Sequence, residues 1–241
     1  MWGIVPAAGQ ASRLQPLAFS KELLPVGSTQ AGERERPRAV GEYLLDRMRV
    51  AGADKICIVI SPEKADILSY FGDDAGGAKL CYLVQPRALG LCDAIFRALP
   101  VIPEDETVLV GLPDTIWFPE NGLERLLPCE QMSFLCFPVA EPEHFDAVVA
   151  NEAGNVEAIQ VKDVNARSRW IWGAFAVKAK VLRSLHALWC ERGASEPYLG
   201  TLVNAWLERG GRAKAVREGT SYLDVGTVRG YREAVRVLGN R

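Results

Sequence analysis

The stretch Val5–Val26, VPAAGQASRLQPLAFSKELLPV, decides how the rest of the chain is read. It starts inside an apolar run, WGIVPA (2–7), that has the composition of a strand. The chain then passes through Ala7, Ala8, Gly9, Gln10, Ala11 and Ser12, whose small side chains let backbone N–H groups come close to an anion. Arg13 and Lys21 follow with permanent positive charge, and Pro6, Pro16 and Pro25 bracket both cations. The stretch is neither G-x-x-x-x-G-K nor G-x-G-x-x-G. Taken alone, it fits a structural turn as well as a cradle for phosphate.

Outward from this stretch, short β-rich runs alternate with longer segments of helical period. KICIVIS (55–61), LCYLVQ (80–85), TVLVGL (107–112) and SFLCFPV (133–139) read as further strands. Val40, Tyr43, Leu44 and Met48 recur on one helical face, as do Leu91, Ala94, Ile95 and Ala98 after Gly90. The alternation predicts an α/β fold with a mainly parallel central sheet flanked by helices. Ser28–Arg38, STQAGERERPR, is polar and turn-rich and reads as a mobile surface loop. Between Phe145 and Val177 the pattern changes: NEAGN is a hairpin turn between two strands, and RWIWGAFAV is a third. This region, about residues 140–180, is expected to be a small β-rich substrate-binding insertion within a single domain spanning 1–241. EPYLGTLVNAWLERGG, ending at a double glycine, and VRGYREAVRVLG read as amphipathic helices.

Composition narrows the function classes. The chain has 241 residues, half of them apolar, enough for a sizeable core, and a net charge of only −2. No long basic run gives a footprint for nucleic acid or an anionic membrane, and no apolar run approaches the roughly 20 residues that span a bilayer. Small ligands are the expected partners. Six cysteines never occur as C-x-x-C, and Cys57, Cys81 and Cys136 lie inside apolar runs, as expected of free thiols in a reducing compartment. With no signal-peptide pattern at the N-terminus, the expected location is cytoplasmic.

Four motifs resemble, in order, those of the sugar-1-phosphate nucleotidylyltransferases. PAAGQASRLQPLAFSKELLPV is similar to their signature loop, VQPRALGLCDAI to their base-recognising segment, VLVGLPDT to the segment with their first metal aspartate, and YLDVGTVRGYREAV to the segment with their second. The resemblance spans nearly the whole chain. It implies a Rossmann-like, glycosyltransferase-A-like fold that joins a nucleoside triphosphate to a sugar-1-phosphate and expels pyrophosphate. It implies residues 7–12 and Arg13 and Lys21 around the triphosphate, Gln85 and Gly90 at the base, and Asp114 and Asp224 on one Mg2+. It also implies Lys162 against the sugar phosphate, Gly173 and Asp114 at the substrate, and a homo-oligomer, the last weakened by the lack of a long C-terminal extension.

Physical need agrees with much of this. The substrate's own phosphate is the nucleophile, so the protein must align two repelling anions and neutralise charge with cations and a metal. Asp114 follows an apolar run, at the strand end where open α/β sheets bind ligands; an Asx turn is its structural alternative. Asp224 lies between a strand and a helix, where an N-cap is the alternative. Lys162 at a strand end also fits simple exposure. An amide at Gln85 can pair with the imide edge of uracil or thymine, which favours UTP or dTTP.

The signature loop departs from the resemblance at one point, and the sugar half departs at several. Ala11-Ser12 replaces the usual Gly-Thr, Val161 and Asp163 flank Lys162 where a glutamate and a proline are usual, and Asp146 or Ala147 falls where glycine is common. Glucose therefore does not carry over as the substrate. Trp170 and Trp172 fit packing as well as stacking on a sugar, Glu196 fits a helix cap, and His144 and His186 belong to no triad. A cytidylyltransferase acting on a non-sugar phosphate and a non-catalytic nucleotide-binding regulator of the same fold are the alternatives. A nucleotide-sugar-dependent glycosyltransferase is disfavoured, because GLPDTI offers one aspartate where such enzymes carry D-x-D.

Overall fold

The computed structural model describes residues 1–239. Alternating apolar runs form the strands, and each run is bounded by glycine, proline or charge. Strand β1 (Trp2–Pro6) leads into the loop opened above, and a hairpin of β2 (Pro25–Ala31) and β3 (Arg34–Ala39) leads to helix α1 (Val40–Val50). Next come β4 (Lys55–Ile60), α2 (Ala65–Phe71), β5 (Asp74–Ala75), β6 (Ala78–Val84) and α3 (Gly90–Phe96). The chain continues through β7 (Thr107–Gly111), β8 (Thr115–Phe118), β9 (Met132–Pro138), β10 (Asp146–Ala150), β11 (Val156–Val161) and β12 (Trp170–Lys178). It closes with α4 (Ala179–Glu191), α5 (Leu199–Glu208), β13 (Ala213–Val216), β14 (Ser221–Asp224) and α6 (Val228–Leu238).

Ten strands form one sheet. Its first half runs β5, β6, β4, β1, β7, and within it β6, β4, β1 and β7 are parallel. Side chains alternate across this half, as the two-residue pleat requires. Ile4, Cys57, Val59, Val108 and Val110 face α3, α4 and α5, whereas Val5, Ile56, Ile58 and Leu109 face α1 and α2.

The second half corrects the expectation of a mainly parallel sheet. Strand β12 pairs antiparallel with β7, β9 and β10, and β10 pairs antiparallel with β11, while β13 joins β9 in parallel. The sheet is mixed, and the expected β-rich insertion is continuous with it. Its register also positions a site. β7 lies along β12 from Lys178 to Ala174, and β10 takes the same edge at Ile171, past the last residue of β7. Asp146, which begins β10, and its ladder partner Val161 on β11 therefore lie just beyond the carboxyl end of β7.

Ser28–Arg38, expected to be a loop, is most of the β2–β3 hairpin. Its ladder pairs Ser28–Ala31 with Arg34–Pro37, and the Ser28 hydroxyl donates to Glu35 at 2.5 Å. Backbone pairing needs no apolar face, and buried Val26, Ala39 and Val40 anchor the base, so a polar sequence folds there without a core of its own. All six cysteines are free; four are buried, Cys81 is half-buried and Cys190 is exposed. Among the described residues no helix is long and apolar enough to cross a membrane.

Candidate active site

The site is assembled where β7 ends. Asp114 follows β7 and immediately precedes β8, which pairs with β14 in a separate two-stranded sheet with Asp224 opposite Thr115. The Val225 N–H donates to the Asp114 carbonyl at 2.9 Å, so the two aspartates are held side by side from distant parts of the chain. The cations named from the sequence join them. Lys21 Nζ donates to Asp114 Oδ2 at 2.5 Å, and Arg13 Nη1 lies 3.5 Å from Asp224 Oδ2.

One residue that sequence reasoning passed over explains how closely these groups gather. A Cβ on Gly226 would stand 2.8 Å from Asp114 Oδ2, 2.9 Å from Asp224 Oδ1 and 3.1 Å from Arg13 Nη2. Glycine keeps that space clear, and its N–H donates to Asp224 Oδ1 at 2.9 Å. Its signal was present in D-V-G-T, where a glycine two residues after a carboxylate permits an N–H to fold back onto it.

The structural alternatives for the aspartates do not describe them. The N-cap of α6 is Thr227, whose hydroxyl accepts from the Gly230 N–H at 3.0 Å. The Asp114 carboxylate bonds Lys21, while the nearby Thr115 hydroxyl donates to the Leu112 carbonyl.

Charge in this cluster is finely opposed. Burial, and next the Asp114 charge, push the Asp224 carboxyl above its ordinary range despite Arg13 and Lys21 nearby. Burial alone would lower the Lys21 ammonium, but the Asp114 carboxylate outweighs it and the net shift is upward. Lys21 is therefore a fixed cation at neutral pH. Among the described residues no cluster of three or more His, Cys, Asp or Glu could hold a metal. Two carboxylate oxygens flanking one clear space nevertheless suit a hard cation such as Mg2+, which takes few protein ligands and completes its shell with water and phosphate.

The loop from Ala7 to Ser12 lies beside this cluster, and a Cβ on Gly9 would be 4.0 Å from Lys21 Nζ. Among the described residues the N–H groups of 8–13 donate to no backbone or side-chain acceptor, which leaves a run of donors for an anion. Ala11 holds a left-handed φ of 55°, a conformation that costs a non-glycine residue about 1–2 kcal/mol. Below the loop, Lys64 Nζ donates to the Ala7 carbonyl at 2.6 Å and to both Glu22 oxygens at 2.9 Å. This buried pair supports the loop from underneath. Sequence reading missed it because neither residue carries a local pattern.

Gln85 sits at the end of β6, on the same edge as the loop but two strands away. Its Nε2 donates to Asp93 Oδ2 at 2.8 Å and to the Gly90 carbonyl at 3.1 Å, closing the 85–90 turn. Gly90 has φ 92°, and a Cβ there would meet Pro197 at 3.0 Å, so glycine is needed for backbone reasons first.

The sugar half is looser. Lys162 is exposed, with φ 46° and Nζ 4.7 Å above the Tyr198 ring, and no described contact joins it to the aspartates. Asp146 accepts from Trp172 Nε1 at 3.4 Å, and burial raises its carboxyl in spite of that bond and of Lys162. A Cβ on Gly200 would touch both Val161 Cγ2, at 2.7 Å, and Asp146 Oδ2, at 3.2 Å. Gly173 is placed differently from the expectation of an open approach to substrate. The space its Cβ would fill is taken by the rings of Tyr222 and Phe137, at 2.6 and 2.7 Å, so close packing accounts for the glycine. Trp172 is buried in the core, His186 packs beside Phe96 and Trp189, and the Glu196 carboxylate accepts from the Tyr198 N–H just before α5.

A mixed α/β sheet with paired aspartates and two cations at its carboxyl edge defines the class. A profile of the family described as Nucleotidyl transferase matches residues 2–240, and the chain belongs to that family. A glucose-1-phosphate thymidylyltransferase of Neisseria meningitidis serogroup A is 28% identical over 245 residues, covering 97% of this chain and 81% of that protein. The bifunctional protein GlmU of Marinobacter nauticus is 28% identical over 216 residues, 86% of this chain, and the chain spans only 44% of its length. A solved Bacillus anthracis structure, provisionally described as a glucose-1-phosphate thymidylyltransferase in complex with a sucrose, superposes with a TM-score of 0.84. It covers 100% of this chain and 96% of that one at 22% identity, which establishes a shared fold.

Proposed function

We propose that the protein joins UTP or dTTP to a sugar-1-phosphate, or a related phosphorylated small molecule, and releases pyrophosphate. The observation that carries this reading is the convergence of Arg13, Lys21, Asp114 and Asp224 around the space kept clear by Gly226. In the reaction, an oxygen of the acceptor's phosphate forms a bond to the α-phosphorus. The bond from that phosphorus to the bridging oxygen breaks, and its electron pair leaves with pyrophosphate.

Each residue has a task that follows from its chemistry. The free N–H groups of residues 8–13 and the Arg13 guanidinium bind phosphate oxygens, and the fixed charge of Lys21 offsets the negative charge that grows on the α-phosphate. Asp114 and Asp224 would hold Mg2+, which when bound neutralises charge between the two anions. Gln85 and the turn at Gly90 receive the base, and Lys162 with Asp146 receives the acceptor. None of these tasks needs a protein nucleophile.

Thermal stabilisation by nucleotides tests the reading, since a ligand that binds only the native state raises its melting temperature. In the presence of Mg2+, UTP or dTTP is expected to raise it more than CTP, GTP or ATP. A shift with CTP alone would instead support cytidylyl transfer, and no shift with any nucleotide would overturn the proposal.

A further inference from the structure

Gln85 is placed to face a base, but an amide presents a donor on one side and an acceptor on the other. Which side faces outward decides what it can read. The structure contains a device that settles this. Gln85 Nε2 has two hydrogens, and both are committed, one to Asp93 Oδ2 at 2.8 Å and one to the Gly90 carbonyl at 3.1 Å. Asp93 is in turn held by Arg97, whose Nε and Nη2 each lie 3.2 Å from its carboxylate. Gln85 and Asp93 are both buried, at 4% and 7% exposure.

Turning the amide over would point its oxygen at the Asp93 carboxylate and at the Gly90 carbonyl, leaving three acceptors facing one another in a buried site. That arrangement is strongly disfavoured. The Oε1 atom has no donor among the described residues, yet it is not one of the buried polar atoms lacking a partner, so it reaches the surface. Gln85 sits on the carboxyl edge of the sheet with the phosphate loop, about 10 Å along it at ordinary strand spacing. A nucleotide laid across the strand ends therefore brings its base to this oxygen.

We propose that Asp93 is a positioning residue for base selection: it locks the Gln85 amide with its oxygen outward, so that the site accepts a hydrogen bond from a pyrimidine imide N–H. The inference rests on the nucleotide site proposed above and deepens it. Uracil and thymine carry a donor at N3. Cytosine carries an acceptor there, and two facing lone pairs reject it.

The test compares dissociation constants for UTP, dTTP and CTP, measured by calorimetry with Mg2+, in the wild type and three variants. The wild type is expected to prefer UTP or dTTP over CTP by at least about tenfold. Asp93→Asn can either accept from Gln85 Nε2 or donate to Gln85 Oε1, so that only the Gly90 carbonyl still opposes turning the amide over. That variant is expected to lose part of the preference, with CTP binding more tightly in absolute terms, a gain that mere loosening of the fold does not produce. Asp93→Glu should keep the wild-type ratio, and Gln85→Met should bring it close to one.

A measurement on the wild type stands beside these in case Asp93→Asn does not fold. The Gln85 side-chain amide protons are expected to stay protected from exchange both with and without UTP, and the imide proton of bound UTP to become protected. An unchanged ratio in Asp93→Asn, or a Gln85 amide that releases Asp93 when UTP binds, would overturn the role of Asp93 while leaving the nucleotide site intact. A wild type that binds UTP and dTTP no better than CTP would overturn the proposed base preference and this inference together, and one that binds none of the three would overturn the nucleotide site as well.

Discussion

The phosphate half of the site and the acceptor half are built from the same sheet edge in opposite ways. In the phosphate half, every charged group has an opposite partner within 3.5 Å, and a buried Lys64–Glu22 pair braces the loop. In the acceptor half, the Lys162 ammonium lies over the Tyr198 ring, and Asp146 accepts one long bond from an indole N–H at 3.4 Å with the Lys162 charge nearby. On the proposed function, the first half would be preorganised for a fixed reactant, the triphosphate, whereas the second would be sparsely tied and free to match one particular acceptor. Selectivity for the acceptor is thus expected to depend on few residues and to be easier to alter than turnover.

The largest effects should follow from breaking the ordered half. Asp114→Asn or Asp224→Asn should each reduce turnover at least about 100-fold with the fold retained by circular dichroism. Near-normal pyrophosphate release in both variants would remove the metal assignment. Gly226→Ala comes next. Its backbone permits alanine, but the methyl enters the space between the two carboxylates, so a loss of about 10- to 100-fold in kcat with little change in melting temperature is expected.

Val161→Glu probes the loose half. It should change the relative kcat/KM among phosphorylated acceptors by about tenfold while leaving UTP affinity close to the wild type. An unchanged acceptor profile would move the acceptor away from β11.

The smallest effect is one of stability, and its sign separates function from folding. Burial and the Asp114 charge raise the Asp224 carboxyl, so the native protein holds this proton more tightly than the unfolded chain does. Ionisation of Asp224 therefore costs stability as pH rises through that raised value, and the cost vanishes below the ordinary carboxylate range. In the absence of metal and nucleotide, Asp224→Asn should melt higher than the wild type near pH 7, with the gap narrowing as pH falls toward about 4. Calorimetry across that range checks this, and a lower melting temperature at pH 7 would mean that the aspartate is structural.

The two halves also differ in how far they could be read from sequence. The phosphate half was legible because its parts are short and local. A strand end, a small-residue turn and a following cation need only neighbouring residues, and the structure brings Arg13, Lys21, Asp114 and Asp224 together. The five leading strand runs, and helices α1, α3, α5 and α6, followed from the same local periodicity. What depends on distant pairing was not legible. The antiparallel half of the sheet rests on the register of β12, and the brace from Lys64 to Glu22 joins residues 42 apart. Gly173 illustrates the limit most clearly, since only the Tyr222 and Phe137 rings in three dimensions explain it. The β2–β3 hairpin was missed because backbone pairing there leaves no apolar alternation to detect.

On the proposed function, the four charged residues around Gly226 form a working nucleotidyl-transfer site. Pyrophosphate release from UTP and dTTP, measured with and without Mg2+ against a panel of sugar-1-phosphates and other phosphorylated small molecules, tests it most directly. The expected result is Mg2+-dependent release that needs a phosphorylated acceptor and is lost in Asp224→Asn. Binding of nucleotide with no release from any acceptor would contradict it and leave a nucleotide-binding regulator of the same fold.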